Sequence, residues 1–180
     1  MENSLFTSGS IWTMLHGIVL GGGALLTLFA ALFSLRAMRA TAASPAPSVD
    51  QARYLSWLLV ASAVLLWLTV LAGTYIIFPP YRTPPPEGLT DLTRYPRALL
   101  LSDPSTSWLH AFAMEIKEHV PWIAAMMATA AAFIAVRYKE QVLSDADLRR
   151  TLTVLLGICF LLVAAGALLG TFVNKVAPLY

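Results

Sequence analysis

His16 and His119 lie on two different apolar stretches, and each stretch ends in an arginine, Arg36 and Arg137. Counting back at 1.5 Å per residue sets His16 roughly 30 Å and His119 roughly 27 Å from those ends, near the opposite face of a hydrocarbon core ~30 Å thick. Two imidazoles at one membrane level have the chemistry to clamp a haem iron from its two faces or to share another metal ion. A titratable side chain at or near lipid depth is costly, so both are functional candidates by default.

His119 closes the densest polar run of the chain, HAFAMEIKEH from His110 to His119. On a straight helix Glu115 and His119 are four apart and share a face, and His110 and Met114 form a second such pair. His110 and His119 are nine apart, about 180° around the axis, so one straight helix cannot bring both to one ion. The zinc-protease pattern HExxH is absent. Three arrangements follow for His119: an axial haem ligand opposite His16, a copper or zinc site built with His16 and Glu115 and with Met114 nearby, or a structural hydrogen bond to Glu115 or the adjacent loop. A thioether such as Met114 favours Cu(I), and imidazole suits either metal. Glycines follow His16 at Gly17, Gly21, Gly22 and Gly23, and Gly23 falls on the face of His16 by straight α-helical count. Such residues admit a flat macrocycle, and Gly17-xxx-Gly21 and Gly166-xxx-Gly170 equally fit close helix packing. Cys159 is the only cysteine, so no internal disulfide forms, and it reads as a small core residue.

The elements that must position these groups are membrane helices. Of 180 residues 58% are hydrophobic and 12% charged, a balance outside that of soluble domains. Ile11–Leu35, Tyr54–Phe78 and Thr151–Val173 contain no Asp, Glu, Lys or Arg, and each exceeds the ~20 residues that cross a bilayer. A fourth stretch, Pro121–Val136, reaches that length when its helix starts inside the charged run from Trp108. The expected fold is therefore all-α, an integral membrane four-helix bundle in one domain, with helices about 11–35, 54–78, 108–136 and 148–173. Pro121 predicts a kink, since it cannot donate to the carbonyl of Lys117.

Seven basic residues (Arg36, Arg39, Arg53, Arg137, Lys139, Arg149, Arg150) flank one set of helix ends, and four (Arg82, Arg94, Arg97, Lys175) the other. The positive-inside rule then places both termini on the outer, periplasmic side of an inner (plasma) membrane, with the histidines facing outward. Met1–Ser10 has no basic residue, so the first helix is expected to remain as a span. A net charge of +2 gives no argument for nucleic acid. The inner loop from Arg39 to Asp50 reads as a tether, and Ser144 with Asp147 as an N-cap for the last helix. The outer loop, about 79–107, holds Pro79, Pro80, Pro84, Pro85, Pro86, Pro96 and Pro104; it predicts an extended strap suited to a partner. Asp103-Pro104 reads as the start of the third long helix. Trp12, Trp108 and Trp122 share one level, as interfacial anchors do, while Trp57 and Trp67 read as packing.

Four helices with histidines facing across the bundle resemble small membrane b-type cytochromes, the haem subunits of respiratory complexes. The resemblance rests on architecture and ligand type and touches His16 and His119; GTYIIFPPYR (73–82) and WLHAFAMEIKEHVPW (108–122) look like signature runs. It implies one haem b, since three histidines allow a single bis-histidine site, with Glu115 orienting His119 or lying near a propionate. It further implies electron transfer within a larger complex, beside other membrane subunits and near a quinone or a cytochrome c domain, with no turnover of its own. The competing functions are a non-catalytic anchoring subunit and a subunit ligating a chlorophyll-type pigment through His16 or His119.

Overall fold

The computed structural model describes residues 7–38 and 47–179; most of the expected tether, 39–46, lies outside them. Among the described residues every regular element is helical. Four helices are long and apolar enough to cross a membrane: α1 (Ser8–Ala37), α2 (Val49–Arg82), α4 (Leu109–Arg137) and α6 (Ala146–Val176). Two short helices join them, α3 (Pro96–Ser102) between α2 and α4 and α5 (Lys139–Ser144) between α4 and α6.

Local chemistry sets the helix ends. The Thr7 hydroxyl accepts the Ser10 N–H at 3.1 Å to start α1. Ser48 and Gln51 form a reciprocal capping box at α2. For α6 the cap is Asp145, not the expected Ser144: Asp145 Oδ1 accepts the Asp147 and Leu148 N–H groups at 2.8 and 3.1 Å. Ser144 instead donates its hydroxyl to the Glu140 carbonyl and completes α5. Buried Arg149 closes the same corner, its Nη1 donating to the carbonyls of Val142 and Leu143 at 2.8 and 2.7 Å.

Between lipid-facing helices hydrophobicity does not drive association, so small residues and polar contacts carry the packing. The buried face of α4 is an alanine stripe of Ala124, Ala125, Ala128, Ala131, Ala132 and Ala135. Their spacing of one, three or four is one helix face, which lets α2 and α6 approach closely. Hydroxyls then tie the helices. Ser56 donates to the Ala135 carbonyl at 2.8 Å, Ser62 to Thr27 Oγ1 at 2.9 Å and the Trp67 indole to Thr129 Oγ1 at 3.0 Å. Large side chains face outward instead, among them Leu26, Phe29, Phe33, Trp57 and Leu161. Cys159 is fully buried, as expected of a core residue. Trp122 is half-buried and packs against Trp67, edge to face, with ring centroids 5.8 Å apart.

The proline-rich connection is helical at 79–82 and 96–102 and without regular structure at 83–95, so only its middle fits the expected strap. α2 runs through Pro79 and Pro80 to Arg82, where the missing N–H groups fall in the first turn after a π-helical stretch and so break no regular ladder. Leu100 of α3 then packs with Tyr81, Leu109, Met114, Val173 and Ala177 in a second apolar cluster. This connection closes one end of the bundle, termed here the cap end. Asp103 does not start α4: its Oδ1 accepts the Ser105 N–H at 2.8 Å in a turn, and this bond holds its carboxyl below the usual carboxylate range. α4 begins at Leu109.

Candidate functional site

At the cap end three of the long helices leave α-geometry. Leu15–Gly21 in α1, Gly73–Ile77 in α2 and Leu109–Met114 in α4 are π-helical. Such stretches are rare, carry an extra residue per turn and are frequent at functional sites. The first contains His16, the second packs against it, and the third contains His110. Two lie inside the runs 73–82 and 108–122 that stand out in the sequence.

His16 points into the bundle. A Cβ built on Gly73 would stand 2.9 Å from His16 Cε1 and 3.6 Å from each ring nitrogen, so the ring meets α2 end-on where only glycine leaves space. Nδ1 is buried and makes no hydrogen bond. An unmet buried polar atom costs about 1–3 kcal/mol, an expense that a bound group can remove. Lys117 of α4 lies within electrostatic reach of the His16 ring. Its side chain lies across α6 at Gly170, where a Cβ would stand 2.8 Å from Nζ and 3.3 Å from Cε. Lys117 as a whole residue is half-buried. No carboxylate lies within 4.0 Å of its ammonium among the described residues. One imidazole and one ammonium, each admitted by a glycine on the facing helix, thus share the interior of the cap end.

His119 is not part of this arrangement. Its side chain is 71% exposed, its Nδ1–H donates to the Glu115 carbonyl at 2.8 Å, and the Glu115 carboxylate, 61% exposed, stands 3.9 Å away. His119 therefore takes the structural arrangement, and the opposed pair His16/His119 does not form. The reason is the alanine stripe. His119 is in phase with Ile123, Met126 and Phe133, all exposed, whereas Lys117 is in phase with buried Ala124 and Ala128.

The other expected ligands are also placed elsewhere. His110 Nδ1 is paired with the Tyr81 hydroxyl at 2.8 Å beneath the cap, and Met114 is buried in the apolar cluster around Leu100. A shared copper or zinc site of His16, Glu115 and His119 is not formed, and no three of His, Cys, Asp and Glu gather at metal-binding range among the described residues. Gly23 serves packing: a Cβ there would meet the Leu65 side chain at 3.3 Å. The intervening π stretch is the cause, because one inserted residue rotates everything beyond it by about 100°. Of the paired GxxxG glycines, Gly17 and Gly166 face open space and Gly170 makes room for Lys117.

Sequence reasoning passed over Lys117 and Gly73. The signal for Lys117 was present in its register with the alanines. Gly73 opens the conspicuous run 73–82 but carries no chemistry of its own. No protein-family model, characterised protein or solved structure matches this chain.

Proposed function

We propose that this chain is an electron-transfer subunit of a membrane redox complex and holds one haem b at its cap end from a single histidine, His16. The observation that supports this reading is the inward imidazole of His16 against Gly73, its Nδ1 buried and unbonded, with Lys117 beside it and no acid within 4.0 Å of that lysine among the described residues. A neutral imidazole is a haem ligand, Gly73 seats that imidazole inside the bundle, and an ammonium suits a propionate carboxylate. The haem, when bound, supplies one-electron chemistry, and the protein supplies ligation and a low dielectric. His119 has no part in this version, so the bis-histidine form is set aside. The bias of basic residues toward the opposite end favours an orientation with the cap end and both termini outside a plasma membrane, where a cytochrome c domain or other soluble partner has access.

A second reading, a non-catalytic anchoring subunit, is favoured by one feature. Glu115 and His119 form an exposed polar pair on a membrane helix, a position suited to a neighbouring subunit.

The reduced-minus-oxidised absorption spectrum of the purified chain, expressed with ample haem, separates the two. The haem reading expects a b-type band that disappears in His16→Ala and persists in His119→Ala. A band that survives His16→Ala, or a wild-type protein with no cofactor band, overturns it.

A further inference from the structure

At the corner where α2 ends and α3 begins, Arg82, Thr83, Pro84, Pro85, Arg97 and Leu101 line a cleft of about 180 Å³. Two of these side chains are guanidinium groups. Neither has a carboxylate within 4.0 Å among the described residues, and Glu118, the acid in electrostatic range of the neighbouring Tyr81–His110 pair, closes no ion pair with them. The Nε of Arg97 is buried and unbonded. Arg82 is steadied from behind, its guanidinium carbon 5.2 Å from the centre of the Phe78 ring, a cation–π contact that leaves its N–H edge available. The remaining wall is mostly apolar, made of the two prolines, Ala98 and Leu101 beside Thr83.

Arg97 with its unbonded Nε and exposed Arg82, neither paired with a carboxylate, put two guanidinium groups at one cleft, and the guanidinium fork matches phosphate geometry. The cleft's position narrows the ligand. Arg82 is the last residue of a helix long and apolar enough to cross a membrane and lies nine residues beyond Gly73, so the cleft stands outside the hydrocarbon, on the side of the cap-end lipid phosphates. We infer that this cleft binds a phosphate-bearing anion at the membrane surface, a site separate from His16 and Lys117.

Native mass spectrometry of the full chain tests this, with dioleoylphosphatidylglycerol, dioleoylphosphatidylcholine and inorganic phosphate as separate probes. Retention of phosphatidylglycerol over phosphatidylcholine, weakened about tenfold or more by Arg97→Gln and by Arg82→Gln, identifies an anionic lipid. Retention of inorganic phosphate with the same dependence identifies a free anion and equally supports the site. Ala98→Phe fills the cleft, keeps both arginines and must also abolish retention; it decides the matter if an arginine variant fails to fold. Retention unchanged in Ala98→Phe, or in both arginine variants, overturns the inference, as does a wild-type chain that retains none of the phosphate-bearing probes selectively.

Discussion

Substituting Gly73 by alanine puts one methyl group where the His16 ring already is. The 2.9 Å separation from Cε1 falls short of the ~3.5 Å at which carbon atoms pack, so the helices or the ring must yield by about 0.6 Å or more. Turning the imidazole over does not help, since Nε2 then takes the place of Cε1 at the ring's far edge. Overpacking of this size costs about 1–3 kcal/mol. The matching change at Gly170 meets Lys117 Nζ at 2.8 Å, but a lysine has free torsions to withdraw along, so Gly170→Ala costs less, below about 1 kcal/mol. The decisive comparison is the double-mutant cycle. With His16→Ala in place the methyl group has room, and Gly73→Ala becomes neutral or gains up to about 1 kcal/mol from helix propensity. Unfolding titrations in mixed detergent micelles, followed by circular dichroism, measure all four corners. If Gly73→Ala costs the same with and without the His16 ring, the two residues do not touch and the inward placement of His16 is wrong.

Two further outcomes follow from the corners of the fold. Arg149→Ala strands the carbonyls of Val142 and Leu143 in a buried turn and should lower stability by about 2–3 kcal/mol in the same titration, with Arg149→Lys intermediate; a loss under about 0.5 kcal/mol would show those carbonyls reach water. At Asp103 the carboxylate is stabilised by the Ser105 N–H, so the folded group titrates below the ordinary value of ~3.9. The turn's stabilisation is present above that ordinary value and is lost as pH falls through the lowered one; the Ser105 amide chemical shift should report that midpoint, and a midpoint at or above the ordinary value contradicts the bond.

The spans were legible because length and absence of charge suffice for them, and Tyr54–Phe78 or Thr151–Val173 needed no finer reasoning. Facing was harder. Straight-helix counting joined His16 to Gly23 and failed because a π stretch lies between them, and nothing local in LHGIVLG announces that extra residue. His119 was misplaced for a different reason: depth along a helix was used without rotation about it. The alanines seven and eleven residues beyond Lys117, Ala124 and Ala128, held the rotation, since a membrane bundle buries its small residues and shows its large ones to lipid. The cap was hidden by its prolines, which read as extended chain while Leu100 and Tyr81, far apart in sequence, supplied the apolar contacts that fold it.

Cysteine accessibility in intact membranes tests the central claim most directly. In a Cys159→Ala background, His119→Cys and His16→Cys are exposed separately to a water-soluble maleimide. The account predicts rapid labelling at 119, at the exposed cap-end flank of α4, and labelling at 16 only after denaturation. Equal labelling of both positions, or protection of 119 with reaction at 16, would contradict it.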